Sequence, residues 1–252
     1  MLNQIPYDTD KNKKLLPAAI EFVENPEPRC ACVLLLDCSS SMGDNELYRF
    51  NQSSINQLNE GIKELKKQLQ EDDIASKRVE IAVVKFSTDV KVISDFTTVD
   101  EFNPTELRAD GATSMTEAIE LAANMLEERK KDYKQNGIAY YRPWMFLITD
   151  GAPTDKNGCF LSKTDPRLLN AIKTLHNGVN AKQFTFFAVG VDGADMNILS
   201  KLSPQRPPVR LKDNKWSEMF EWLSTSLVSL SSSSMDQKQV NLPPAGWASV
   251  EV

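Results

Sequence analysis

The chain has 252 residues and a mass of 28.3 kDa, and its 41% hydrophobic content is enough to bury one full core as a single domain. A formal charge of -6 and a pI near 5.0, without a concentrated Lys/Arg run, set aside a nucleic-acid groove or an anionic membrane as the main partner and leave cations and basic partners open. No stretch nears the ~18 consecutive apolar residues that span a bilayer, and residues 1–16, MLNQIPYDTDKNKKLL, lack a basic segment followed by an apolar one, so the chain is expected to be soluble and cytoplasmic.

Residues 1–28 hold few periodic positions and are expected to form an extended N-terminal arm. Within them, DTDKNK at 8–13 imitates the start of a calcium loop. Its sixth position is Lys13 rather than glycine and its twelfth is Ala19 rather than glutamate, so an EF-hand is rejected. CACVLLLD at 30–37 is continuously apolar, as suits a central parallel strand covered on both faces, and ends on Asp37. Ile55, Leu58, Ile62, Leu65 and Leu69 then recur at three- and four-residue spacing and predict a helix with one buried stripe. RVEIAVVKFS at 78–87 and VKVISDF at 90–96 are rich in β-branched residues and separated by two residues, which predicts an antiparallel edge hairpin.

After DGATSM, residues Met115, Ala118, Ile119, Ala122, Met125 and Leu126 predict a second amphipathic helix. A strand in RPWMFLITDGAPTD follows from about 142 and again ends on an aspartate, Asp150. The remainder alternates: a helix near 165–178, the strand QFTFFAVGV at 183–191, a helical turn around 195–202, the strand PPVRLK and a helix over 216–230. Such alternation implies right-handed crossovers. The expected fold is therefore a doubly wound α/β domain over 29–230: a mostly parallel six-stranded sheet, one antiparallel edge strand, helices on both faces. Residues 231–252 open with a serine run and continue through Pro-Pro-Ala-Gly, which predicts an extended tail anchored on its own domain by Trp247, or alternatively a partner-binding peptide.

The four cysteines, Cys30, Cys32, Cys38 and Cys159, include no CxxC pair and read as free thiols in a reducing compartment, with Cys30 and Cys32 as small core residues on one strand face. His176, the only histidine, lies near a helix carboxyl end and is expected to bind terminal carbonyls rather than act as a base. Walker, G-x-S-x-G and H-E-x-x-H signatures are absent.

In a doubly wound sheet ligands bind outside the carboxyl ends of the strands where the winding reverses. Three oxygen-rich loops should meet there, contributing Asp37, Ser39 and Ser41 from DCSSS, Thr113 from GATS and Asp150 from ITDG. Each has an ordinary alternative. D-x-S-x-S suits a helix N-cap, Thr113 suits another, and DGAPTD suits a turn in which Asp155 is a capping or solvated residue. Together, three hydroxyls and two carboxylates match the oxygen coordination that a hard cation such as Mg2+ or Mn2+ demands. An ion held by neutral hydroxyls keeps excess positive charge and can attract an outside carboxylate.

This pattern resembles the von Willebrand factor A domain, whose signature is called the metal-ion-dependent adhesion site. NPEPRCACVLLLDCSSSM, YYRPWMFLITDGAPTD and FFAVGV resemble most its bacterial tellurite-resistance-associated, TerY-like branch. The resemblance implies an intracellular, metal-dependent binding module tied to stress-response or phage-defence gene clusters that contain a kinase and a phosphatase, and the three converging loops make the leading expectation a non-enzymatic adaptor whose ion takes a partner's Asp or Glu. No nucleic acid and no membrane are expected as partners, on the acidic composition. Cys38, Ser40 and Ala112 depart from the family's usual Thr, Gly and Gly, without removing a metal-facing oxygen. Two other readings stay open: a metal-dependent phosphoesterase using Asp37 and Asp150, and an ion that only stabilises the loops while the arms bind.

Overall fold

The computed structural model describes residues 18–43, 53–213, 215–235 and 240–249, so the calcium-like DTDKNK segment lies outside the described residues. The elements are α1 (Ala18–Glu24), β1 (Cys30–Asp37), α2 (Ser54–Gln70), α3 (Ala75–Arg78), β2 (Val79–Phe86), β3 (Val90–Thr98), α4 (Met115–Gln135), β4 (Trp144–Thr149), α5 (Pro166–Asn180), β5 (Thr185–Gly190), α6 (Met196–Leu202), β6 (Val209–Leu211), α7 (Trp216–Ser232) and β7 (Ala248–Ser249). The sheet runs in the order β3-β2-β1-β4-β5-β6-β7. β2, β1, β4, β5 and β6 are parallel neighbours, and β3 pairs antiparallel with β2 at one edge. The six expected strands are thus in place, and the tail lays the two-residue β7 antiparallel along β6 at the other edge.

Alternation along β1 divides the interior. Cys30, Cys32, Leu34 and Leu36 face a layer built by α2 and α7, while Ala31, Val33 and Leu35 face α4, α5, α6 and Phe22 of α1. β1 is buried at every position, which is why its sequence is an unbroken apolar run. On the first face α2 approaches α7 so closely that a Cβ on Gly61 would stand 2.0 Å from the Phe220 ring.

Residues 18–24 form a helix where an extended arm was expected. Seven residues give too weak a periodic signal to read, and tertiary contacts hold the helix instead. Phe22 is buried beneath the guanidinium groups of Arg29 and Arg129, 5.4 and 5.0 Å from its ring centroid. Arg129 grips the buried Glu80 with two nitrogens, each at 2.8 Å, and also donates to Glu21 of α1 at 2.6 Å. Tyr133 donates to the same Glu80 carboxylate. Arg29 Nε lies 2.8 Å from Glu80 but is not aligned as a hydrogen bond, and its other nitrogens donate to the carbonyls of Glu27 and Asn25. This ionic knot also explains why α4 continues through EERKKDYKQ, since Arg129 and Tyr133 extend its buried stripe.

The serine run likewise continues α7 to Ser232 before the chain turns out of the helix. The carbonyls of Ser231 and Ser233 accept from Tyr141 Oη, and that of Ser231 also from Arg78. Beyond it, Trp247 is 4% exposed and packs 5.7 Å from Trp222, whose Nε1 donates to Pro243 O.

Candidate metal centre

The winding reverses between β1 and β4, because β1 is followed outward by β2 on one side and β4 pairs on the other. Asp37 ends β1 and Asp150 directly follows β4, so both carboxylates emerge at this switch point. Asp37 is fully buried. Its Oδ1 accepts the Ser39 N–H at 2.8 Å and its Oδ2 accepts the Thr149 hydroxyl. These bonds turn the carboxylate back over its own loop. Ser39 opens the short 3-10 turn over Ser40–Met42, which carries Ser41 across to β4. Ser41 Oγ donates to Asp150 Oδ1 at 2.8 Å and lies 3.1 Å from Ser39 Oγ.

Thr113 arrives from the third loop. Its N–H donates to Thr154 Oγ1 at 2.8 Å and its carbonyl accepts the Thr154 N–H at 3.0 Å. Its hydroxyl oxygen lies 3.7 Å from where a Cβ on Gly151 would stand, beside the Asp150 loop. All five candidate residues therefore meet at one crevice. Asp155 does not join them; its Oδ1 accepts the N–H groups of Asn157 and Cys159 within its own turn.

The loops are clasped by backbone. Asp110 N–H donates to Cys38 O and Ser40 N–H to Gly111 O, while Ser114 N–H reaches Ser87 O. Ser40 and Ala112 both have negative φ, so the glycines they replace are not needed, and Gly111 alone takes the left-handed conformation in that loop at φ +73°. Four supporting residues were not singled out from the sequence: Thr149 on Asp37, Thr88 on Ala112 N–H at 3.0 Å, Thr154 on Thr113, and Gly193, where a Cβ would stand 2.9 Å from Asp150 O. Thr149 was legible as the residue before the aspartate in ITDG. The other three depend on contacts between loops far apart in sequence.

Electrostatically the crevice is short of positive charge. Burial raises the Asp37 carboxyl, against the pull of its hydrogen bonds. Burial first, and the charge of Asp37 second, push Asp150 up to about 7. No described basic side chain pairs with either carboxylate, and two buried like charges without a counter-ion disfavour their own ionisation. A divalent cation would relieve that repulsion, so the donor set fits one. Among the described residues no group of three His, Cys, Asp or Glu side chains could hold a metal, and the hydroxyls of Ser39, Ser41 and Thr113 would therefore supply the remaining oxygens. Each serine hydroxyl keeps lone pairs free after donating its proton.

A doubly wound domain with two carboxylates and three hydroxyls at its switch point is the class defined by this fold and site. The chain belongs to the von Willebrand factor type A domain family, whose model matches residues 32–222. Among curated proteins none matches the chain. Solved structures with the same fold include the pilus adhesin SpaC from Lactobacillus rhamnosus GG, with a TM-score of 0.62 and 12% identity over 80% of this chain and 31% of that one. A von Willebrand factor type A protein from Catenulispora acidiphila has a TM-score of 0.56 at 18% identity, covering 80% and 43%. The PilB minor pilin from Streptococcus sanguinis has a TM-score of 0.53 at 15% identity, covering 81% and 62%. The chain thus spans less than two thirds of each of these proteins, and at such identities the likeness is one of fold. No helix among the described residues is long and apolar enough to cross a membrane.

Proposed function

We propose that the chain is a non-enzymatic, metal-dependent protein-interaction module of the cytoplasm, belonging to the TerY-like branch of its family. Mg2+ or Mn2+ would be held by Asp37, Ser39, Ser41, Thr113 and Asp150, with an Asp or Glu of another protein completing the coordination. The partner class is a kinase, phosphatase or other component of a stress-response or phage-defence gene cluster. The observation that carries this reading is the pair of buried carboxylates brought together among three hydroxyls with no described basic neighbour. When bound, the cation would supply a Lewis-acidic point short of negative charge, and these side chains would position it.

The test is capture of partners by the purified chain from its native host, with and without chelator, for wild type and for Asp37→Ala and Ser39→Ala. A partner retained only with divalent ion, and lost in both variants while the circular dichroism spectrum is unchanged, supports the reading. Retention unaffected by chelator and by both substitutions overturns it.

A further inference from the structure

At the opposite end of the sheet, a cavity of about 340 Å³ opens at the amino ends of β4 and β5, between the carboxyl ends of α5 and α6. Arg142, Lys182, Arg206 and the sole histidine, His176, line it, and no described Asp or Glu does. In a chain of net charge -6 this is an unusual local balance. None of the three cations forms an ion pair with a described carboxylate. Partial desolvation first and the charge of Arg142 second hold Arg206 below the ordinary arginine range, so the two guanidinium groups already repel one another.

The backbone gives an independent sign. Lys182 sits at φ +56°, in the left-handed region, where α5 ends. Its N–H donates to Val179 O at 3.0 Å and the next N–H, of Gln183, to Gly178 O at 2.8 Å, a closure that favours glycine at this position. A lysine held in a conformation that costs it backbone strain points to use of its side chain. The same backbone N–H groups occupy the last carbonyls of α5, so the helix end does not draw on Lys182 for capping.

The scaffold around the cations is fixed. Ser203 Oγ donates to Arg206 O at 2.5 Å, the Gln205 side-chain amide donates to Asn180 Oδ1, and His176 Nε2 donates to Lys201 O at 2.8 Å. Arg206 also lies over the Phe187 ring, 4.4 Å from its centroid. Arginine forks match the oxygens of a phosphoryl group, whose double charge answers several cations better than a single carboxylate does. The wall also offers apolar surface from the half-buried Val179 and the exposed Pro204.

We propose that this cavity binds a phosphorylated small molecule, its phosphoryl group held among Arg142, Lys182 and Arg206 and its organic portion lying against Val179 and Pro204. The site is separate from the metal centre, and so is its test. The full chain, in buffer containing chelator, is titrated calorimetrically with inorganic phosphate and with adenosine monophosphate. Saturable binding is expected. It should weaken by about tenfold for each guanidinium removed in Arg142→Ala, Arg206→Ala and the double variant. Lys182→Gly should weaken it by a similar factor while keeping or raising the melting temperature, because glycine relaxes the turn; this variant stays informative if an arginine variant fails to fold. Tighter binding of adenosine monophosphate than of free phosphate supports the proposal, and equal affinities overturn the placement of its organic portion. Absence of saturation with both probes, or affinity unchanged in the variants, overturns the proposal.

Discussion

Gly111→Ala tests how the metal-facing loops are held. At φ +73° an alanine pays roughly 1–2 kcal/mol for the left-handed backbone. Its Cβ would also stand 2.1 Å from Thr88 Oγ1, so Thr88 must swing away. That gives up the bond from Ala112 N–H at 3.0 Å, a loss of roughly 0.5–1.5 kcal/mol. The two contributions sum to about 1.5–3.5 kcal/mol. Because Gly111 O accepts the Ser40 N–H at 3.1 Å and Thr113 follows two residues later, the displacement reaches two candidate ligand loops, and Mn2+ affinity should fall about tenfold. Urea denaturation of the single and double variants reads the stability terms. In a Thr88→Ala background the overlap with Oγ1 and the Ala112 bond are already gone, so the cost of Gly111→Ala should shrink to about 1–2 kcal/mol. Equal costs in both backgrounds, or no cost at all, would refute this account of the loop.

Glu80→Gln removes the charge that Arg129 and Arg29 share in the interior and should destabilise by about 3–5 kcal/mol in denaturant titration, with α1 more easily cleaved by protease. Trp247→Ala should cost about 3–5 kcal/mol, whereas Trp247→Phe should stay within about 1 kcal/mol of wild type, since the buried Nε1 has no hydrogen-bond partner among the described residues to lose. In the native protein a thiol reagent near neutral pH should modify the exposed Cys159 rapidly. Cys32 and Cys38, each pushed up by burial to about 12, and the buried Cys30, raised by the same cause, should react only on unfolding.

Much of this architecture was legible because burial on both faces leaves a plain trace. β1 and β4 are apolar runs that stop at aspartates, and α2 carries its stripe at Ile55, Leu58, Ile62, Leu65 and Leu69, all buried. What escaped the sequence is short or tertiary. α1, α3 and β7 span seven, four and two residues, too few for a period to show. The last turns of α4 are polar in composition, and only the position of Glu80 on a neighbouring strand makes Arg129 and Tyr133 part of the core. His176 was expected to bind carbonyls at the end of its own helix; its partner is Lys201 O of α6, a contact that only the packing of the two helices decides. At the candidate site the five oxygen donors could be named from motif and order. Their support by Thr88, Thr154 and Gly193 could not, since each contact joins segments distant in the chain.

Titration of the chain with Mn2+, followed by electron paramagnetic resonance, tests the central claim most directly. One ion per chain is expected, with binding lost in Asp37→Ala and Ser39→Ala proteins that keep the wild-type circular dichroism spectrum. Mn2+ that stays free in the wild-type protein, or binds the two variants equally well, would contradict it.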